Sequence, residues 1–256
     1  MANISSPHNL KISIVTVSFN QANYIKQCIE SILSQDYTNI EYVVVDAGST
    51  DGSRQIISSY KEITSIFEAD DGPADGLNKG FAKCSGDYFG FVNSDDFLLP
   101  GAISQIVQEI LDSGSEFLSG SGFIQSNNTL IPIQPTRLSL RNLLYRNAVL
   151  FQPSTFFSKD LFHSVEGFNI GNRTCWDYEL FVDFLATGAE HQITSIPIST
   201  FRIHSRSITG SNQMARSYKK DLDRIFKKYM MRPWSIRSML LSYFWRIARK
   251  VSSAHA

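Results

Sequence analysis

The sequence has few of the features that would assign it to a special class. It contains three cysteines, Cys28, Cys84 and Cys175, and their spacing is not that of a metal site. No disulfide framework is therefore expected, and the simpler prediction is three small buried side chains in a reducing compartment. No apolar run reaches the roughly 18 residues of a membrane-spanning helix. The N-terminus lacks the basic and apolar segments of a signal peptide, so a cytoplasmic location is expected.

Phosphate-binding glycine loops are also absent. The chain contains no GxxxxGK[ST] segment, and its first predicted strand is not followed by GxGxxG. A phosphate-bearing ligand would therefore be held through a metal ion and not through a cradle of backbone amides.

The formal net charge of 0 and the 43% hydrophobic content describe an ordinary globular chain with one sizeable core. The charge is nevertheless unevenly distributed. Residues 201–256 carry 13 Lys or Arg and two acids, so residues 1–200 carry a net charge of −11. The two parts are expected to face different partners, and no nucleic-acid partner is expected.

The first 115 residues alternate between strand and helix patterns. Four β-rich apolar runs are each followed by a segment with helical spacing or helix-start residues; the runs are KISIVTVSF, IEYVVVDAGS, SIFEADDG and DYFGFVNSDD. This alternation predicts a parallel α/β sheet covered by helices on both faces. Beyond residue 115 the pattern predicts strands in EFLSGSGFIQ, TLIPIQP and ITSIPISTFRIH, and helices in RLSLRNLLYRNAVLF and WDYELFVDFLATGA.

Polar side chains gather where the four N-terminal strands end. These clusters are Ser18 with Asn20, Asp46 to Asp51, Asp70 with Asp71, and Asn93 to Asp96. Ligands of such sheets bind outside the carboxyl ends of the strands, so the clusters should share one rim. Adjacent carboxylates suit Mg²⁺ or Mn²⁺, which would neutralise a diphosphate leaving group. A nucleotide-diphosphate donor is therefore predicted.

The segment WSIRSMLLSYFWRIARKV near the C-terminus predicts a basic amphipathic helix. One face carries Ile236, Met239, Leu240, Tyr243, Phe244, Ile247 and Val251, and the remaining positions include Arg237, Arg246, Arg249 and Lys250. Such a helix suits an anionic membrane surface. Packing onto the protein's own domain or onto a dimer partner is the alternative, and the sequence leaves both open.

The segments TVSFNQANYIKQCIESILSQDY, EYVVVDAGSTDGS and EADDGPADGLNKGFAKCSGDYFGFVNSDDFLLPGAI together resemble the GT-A domain of family-2 glycosyltransferases. The resemblance covers about residues 11–210. It implies an α/β fold of the GT-A type, with a Rossmann-like, mostly parallel central sheet flanked by helices. The nucleotide-binding half would be about 11–115, the acceptor half about 116–210, and residues 211–256 a C-terminal helical appendage.

The resemblance also implies roles for individual residues. Donor-binding positions would be Thr16, Ser18, Asn20, Asp46, Asp51, Asp71, Asp75, Asn78, Lys79, Asn93, Asp95 and Arg202. Acceptor-side positions would be Gln152, Ser154 and Trp176. Asp96 and His204 would hold the metal, and Asp177, or alternatively Glu179, would be the catalytic base. Because Asp177 begins a helix, the helix dipole is expected to lower its pKa.

The implied activity is a Mn²⁺- or Mg²⁺-dependent, inverting transfer of a sugar from a nucleotide diphosphate, most simply a UDP-sugar. The acceptor would be a glycan or a lipid-linked molecule in bacterial surface polysaccharide or glycolipid assembly, and the resemblance is compatible with a location at the inner face of the cell membrane. Two alternatives remain open, a sugar-phosphate nucleotidyltransferase and a non-catalytic carbohydrate-binding protein. Several site residues also have a structural alternative, since Asp46, Asp51 and Asp177 are common at turns and helix starts. Asp183 stands where the family often has Arg.

Overall fold

The computed structural model describes residues 10–127, 129–204 and 214–243. Within these ranges, nine strands form one sheet and helices cover it. The strands are β1 (Ile12–Ser18), β2 (Ile40–Asp46), β3 (Thr64–Phe67), β4 (Tyr88–Phe91), β5 (Phe97–Leu98), β6 (Phe117–Ser126), β7 (Thr129–Ile133), β8 (Thr155–Ser158) and β9 (His191–Ile203). The helices are α1 (Ile25–Leu33), α2 (Ser53–Ser58), α3 (Pro73–Phe81), α4 (Ala102–Ser113), α5 (Leu140–Leu144), α6 (Lys159–Ser164), α7 (Trp176–Thr187) and α8 (Ala215–Met230).

The strands lie in the order β3-β2-β1-β4-β8-β6-β9-β5, and β7 pairs with β6 outside this path. β3, β2, β1 and β4 are parallel, as the strand–helix alternation predicted. β8 runs antiparallel between β4 and β6, and β9 is parallel to β6. The two-residue strand β5 pairs antiparallel with β9, a pairing that the sequence pattern did not predict. β5 brings the segment after β4 against the end of β9.

The apolar strands contribute to two cores, one on each face of the sheet. In β1, Val15 faces one core while Ile12 and Ile14 face the other, and in β2 Val43 and Val44 divide in the same way. This follows from the strand geometry, since successive side chains point to opposite faces. The first core is covered by α3, α5, α6, α7 and α8, and the second by α1, α2 and α4. Near-continuous apolar strands are thereby buried on both sides.

The chain changes direction across the sheet at β1. From β1 it passes to β2 and β3 on one side, whereas β4 lies on the other side of β1. The carboxyl ends of β1 and β4 therefore flank a topological switch point, the place where open α/β sheets bind ligands. Ser18 ends β1, and Asn93 to Asp96 follow β4.

Helix α8 packs into the domain, so the expected boundary at residue 210 does not separate it from the sheet. Leu222, Ile225 and Phe226 are buried in the first core. Polar contacts reinforce this packing, since Asp183 of α7 accepts hydrogen bonds from Lys228 and Tyr229 of α8. These contacts give the acid at position 183 a structural partner.

Residues 236–243 are helical, and we call them the terminal helix. Of the predicted amphipathic face, Phe244, Ile247 and Val251 lie outside the described residues, as do the bases Arg246, Arg249 and Lys250. Within the described ranges, no helix combines the length and apolar character needed to cross a bilayer.

Candidate functional site

A cleft of about 600 Å³ opens at the carboxyl ends of β1 and β4. Its volume falls in the range of small-molecule sites, roughly 300–1,000 Å³. The predicted site residues that line it are Ser18, Asn93, Asp95, Gln152, Trp176 and Asp177. The structure therefore brings together donor-side residues from the first half of the chain and acceptor-side residues from the second half.

Asp95, which lines the cleft, is paired with His204, which follows the end of β9. The Nε2 of His204 lies 3.0 Å from Oδ2 of Asp95, and both side chains are mostly buried. The imidazole stacks on the ring of Tyr24, with 4.7 Å between the ring centroids. The guanidinium of Arg202 lies over the same Tyr24 ring at 4.9 Å and donates to Gln27 at 2.7 Å. The end of β9 and the start of α1 thus hold the two side chains in place.

Asp96 is placed differently from the sequence-based assignment. Its side chain is buried, Oδ1 accepts a hydrogen bond from the backbone N–H of Arg202 at 2.8 Å, and it is not among the residues that line the cleft. Burial, with the neighbouring charge of Asp95 as a second cause, holds the pKa of Asp96 well above its usual range. The two adjacent carboxylates therefore have separate environments: Asp95 faces the cleft and Asp96 ties β9 to the segment after β4.

Asp95 and His204 together provide a set of ligand atoms that fits a divalent cation. The carboxylate oxygen suits Mn²⁺ or Mg²⁺, which take few protein ligands and complete their shell with water and substrate phosphates, whereas the imidazole nitrogen favours Mn²⁺ of the two. Within the described ranges, no group of three or more His, Cys, Asp or Glu residues is placed to hold a metal ion. The fit rests on Asp95 and His204 and not on Asp96.

The opposite wall of the cleft carries Asp177 and Trp176 at the start of α7. Burial raises the pKa of Asp177, although the backbone N–H groups of Asp177 and Tyr178 act in the opposite direction. The predicted lowering by the helix dipole is therefore outweighed by desolvation. The indole N–H of Trp176 and the hydroxyl of Ser18 are buried and have no hydrogen-bond partner among the described residues. Both residues line the cleft, and these two atoms are themselves buried.

Glu179, the second candidate base, lies away from the cleft. Its carboxylate accepts two hydrogen bonds from the guanidinium of Arg224, both at 2.6 Å, and others from Asn169 and Asn172. The side chain is 2% exposed. Burial alone would raise the pKa of Glu179, but the hydrogen bonds from Arg224, Asn172 and Asn169 outweigh it and lower the pKa below its ordinary value. Glu179 therefore fixes α7 to α8, and its carboxylate is not available to a substrate.

We expect Arg224→Ala to lower the free energy of unfolding by about 2 kcal/mol, somewhat less than the roughly 3–5 kcal/mol of a fully buried pair because Arg224 is partly exposed. The variant leaves Glu179 buried with an uncompensated charge. Lys26→Ala is the matched control, because Lys26 and Glu30 form an exposed pair at 3.8 Å. That change should lower the free energy of unfolding by less than about 0.5 kcal/mol. Urea unfolding of both variants measures the difference, and equal losses would contradict a structural role for the Arg224 pair.

The acids predicted at the end of β2 are engaged in hydrogen bonds with nearby residues of the protein. Asp46 is buried and accepts hydrogen bonds from Ser49 and Arg54, at 2.6 Å from the Ser49 hydroxyl and 2.8 Å from Arg54. Asp51 accepts from Ser53 and from the backbone N–H of Ala22. These contacts agree with the structural alternative for both acids. Asn20, exposed and at φ 55°, also accepts from the backbone N–H of Thr50.

The loop before α3 contributes a cleft residue, Asp70, that the assignment by resemblance omitted. Asp70 lines the cleft, whereas Asp71 points outward and is 80% exposed. Burial raises the pKa of Asp70. The predicted residues of α3 itself make internal contacts: Asp75 pairs with Lys79 at 3.1 Å, and Asn78 exchanges two hydrogen bonds with the backbone of Phe168. The position of Asp70 at a strand end was visible in the sequence, but not the direction of its side chain.

Three further predicted residues have structural surroundings. Thr16 is buried and accepts a hydrogen bond from the hydroxyl of Tyr42 at 3.0 Å. Ser154 is buried and donates to the carbonyl of Ser121 at 2.8 Å. Gln152 does line the cleft, and it donates to the carbonyl of Phe91 at 2.9 Å and accepts from Asn93. Thr16 and Ser154 are therefore placed outside the cleft, and Gln152 connects its two walls.

The described geometry can be compared with known proteins. The sequence model of the family described as "Glycosyl transferase family 2" matches residues 13–170. An uncharacterized glycosyltransferase of Rickettsia felis is 30% identical over 220 residues, which are 80% of this chain and 36% of that protein. The chain spans about a third of the length of this relative and of two others, from 32% to 36%.

Two solved structures share the fold. TarS 1-349 of S. aureus in complex with UDP-GlcNAc aligns with a TM-score of 0.72 and 17% identity, covering 93% of this chain and 70% of that one. The mannosyltransferase PcManGT of Pyrobaculum calidifontis, in complex with GDP-Man and Mn²⁺, aligns with a TM-score of 0.67 and 15% identity, covering 98% and 77%. The expected α/β fold is confirmed by these likenesses.

Proposed function

Because the chain belongs to glycosyl transferase family 2, we propose that it is a metal-dependent, inverting glycosyltransferase. It transfers a sugar from a nucleotide diphosphate to an acceptor hydroxyl. The observation that carries the proposal is the cleft of about 600 Å³, which is lined by Asp95, the hydrogen-bond partner of His204, and by Asp177 of α7. A metal-ligating pair and a candidate base are the two groups that this chemistry requires.

The donor is assigned to the half of the cleft built by residues 11–115. Asp95 and His204 would hold Mn²⁺ or Mg²⁺, which when bound supplies positive charge to the departing diphosphate. Ser18, Asn93 and Asp70 line the same cavity and are available to the nucleotide sugar.

The acceptor is assigned to the wall built by the second half of the chain. Asp177 removes the proton from the acceptor hydroxyl as that oxygen attacks the anomeric carbon. Its raised pKa makes the carboxylate a stronger base and brings its pKa closer to that of the acceptor hydroxyl. Trp176 and Gln152 line the same cleft as Asp177 and would position the acceptor.

We propose a UDP-sugar as the donor and a glycan or lipid-linked molecule as the acceptor, in the assembly of a bacterial surface polysaccharide or glycolipid. TarS is described in complex with UDP-GlcNAc, and PcManGT in complex with GDP-Man and Mn²⁺. UDP-sugars are therefore the first donors to test and GDP-mannose is the second.

The test is a donor screen with the full chain. We expect at least one UDP-sugar or GDP-mannose to bind in the presence of Mn²⁺, with slow release of the nucleoside diphosphate that is suppressed by EDTA. Isothermal titration calorimetry measures binding, and a coupled assay measures the nucleoside diphosphate. Metal-independent release would overturn the metal dependence. Formation of a nucleoside triphosphate on adding pyrophosphate would instead indicate a nucleotidyltransferase, and binding without any turnover would indicate a non-catalytic protein.

A further inference from the structure

The terminal helix attaches to the domain by its small polar face. Ser238 and Ser242, one turn apart, are 0% and 1% exposed. The opposite face presents Ile236, Met239 and Leu240, which are 74%, 52% and 47% exposed. A helix that only packs on its own domain buries its apolar stripe. Here the apolar stripe faces outward, which is the arrangement of a surface made for another partner.

This orientation is fixed by specific contacts. Arg232 donates to the hydroxyl of Tyr145 at 2.6 Å and to that of Ser238 at 3.1 Å. Trp234 packs edge-to-face on Phe226 of α8, with 4.8 Å between the ring centroids. The start of the helix is therefore held by the Arg232 guanidinium and by the packing of Trp234 on Phe226, and rotating the helix to bury Leu240 would break the Ser238 contact.

The charge around the exposed stripe indicates the kind of partner. Residues 231–256 contain five Lys or Arg and no Asp or Glu, and Arg237 is exposed beside the stripe. In a symmetric contact of helix against helix, a second copy of this chain would bring the same positive charge and be repelled. An anionic lipid surface offers both the apolar environment and the opposite charge.

We infer that the terminal helix is a docking surface for an anionic lipid bilayer, with Ile236, Met239 and Leu240 entering the interface and Arg237 contacting the headgroups. This surface is separate from the cleft, and its binding does not depend on the transferase activity. It would hold the cleft close to an acceptor carried by a lipid.

The test uses the full chain and vesicles of phosphatidylcholine, with and without phosphatidylglycerol, in a sedimentation assay without donor or acceptor. The test variant is Ile236→Ser, Met239→Ser and Leu240→Ser combined. The matched control is Leu130→Ser with Ile131→Ser, because these β7 side chains are also about half exposed, at 57% and 49%. We expect the parent and the control to bind the anionic vesicles, and the test variant to partition more than roughly tenfold more weakly. Thermal unfolding checks that both variants fold.

Equal binding by the parent and the folded test variant would overturn the inference, as would equal binding to vesicles with and without phosphatidylglycerol. A parent that sediments as a dimer, and a test variant that does not, would assign the surface to a second copy instead. If the test variant fails to fold, Arg237→Glu provides the second variant, and unchanged vesicle binding by it would also count against the inference. Donor turnover in detergent-free buffer is measured in parallel, so that a failure of the transferase proposal is seen separately.

Discussion

Replacing Asp177 by Asn is expected to lower kcat for sugar transfer by roughly 10²- to 10⁴-fold, the contribution typical of a general base. The amide has nearly the shape of the carboxylate but cannot take the proton of the acceptor hydroxyl. Donor affinity should not change, because the donor is assigned to the other half of the cleft. Steady-state kinetics with an identified donor and acceptor measure the first effect, and calorimetric titration with the donor and Mn²⁺ measures the second.

Glu179→Gln is the matched control, since it makes the same chemical change two residues further along α7. The carboxylate of Glu179 is held by Arg224, so the expected result is a lower melting temperature with kcat per folded molecule retained. If Glu179→Gln removed transfer and Asp177→Asn did not, the assignment of the base would move to Glu179. A parallel loss of donor affinity in Asp177→Asn would assign Asp177 to donor binding instead.

The pH profile of the parent enzyme gives a second measurement of the same group. Asp177 must be ionised to act, and burial raises its pKa. The acidic limb of kcat should therefore lie above the roughly 3.9 of an ordinary aspartate, with activity falling as the pH drops through the raised pKa. The residual activity of Asp177→Asn should lack this limb. An acidic limb near the ordinary value in the parent would contradict the desolvated environment.

The sheet could be predicted because its signal is repeated. Each of the four N-terminal strands is an apolar run that ends in polar residues, and each is followed by a helix pattern, so one misassigned element would not change the architecture. The antiparallel insertion of β8 and the two-residue β5 were not predicted. β5 has only Phe97 and Leu98, and its existence depends on the distant pairing with β9. Local sequence patterns carry no information about such a pairing.

The site could be predicted as a rim but not as a set of side chains. That the ends of β1 and β4 meet follows from topology, and Ser18, Asn93 and Asp95 are indeed brought to one cleft. Which of two neighbouring carboxylates faces the cleft depends on backbone direction over one residue, as with Asp95 and Asp96. Asp46 and Asp51 occur at the right strand end, yet local hydrogen bonds with their own loop engage them. The sequence could not separate these uses.

The packing of α8 on α7 could have been predicted from the spacing of their charged residues, but the total charge of residues 201–256 obscured it. Treated as a block, residues 201–256 looked like a basic appendage. Glu179 and Asp183 are four residues apart on α7, and Arg224 and Lys228 are four residues apart on α8, so the two pairs can meet face to face. Matching charges at helical spacing would have predicted that α8 belongs to the domain.

Asp95→Asn is expected to raise the Mn²⁺ concentration needed for half-maximal activity by at least roughly 10- to 100-fold, a loss already seen when only outer-shell partners of metal ligands are removed. Asp96→Asn should leave the Mn²⁺ concentration for half-maximal activity nearly unchanged, because the amide oxygen can still accept the hydrogen bond from the backbone N–H of Arg202. Mn²⁺ titrations of donor turnover, together with calorimetric titration of Mn²⁺ in the presence of nucleoside diphosphate, measure both variants. The two residues are adjacent and chemically identical, so the comparison isolates their environments. A loss confined to Asp96→Asn would return the metal to Asp96 and require the buried carboxylate to turn toward the cleft when the donor binds.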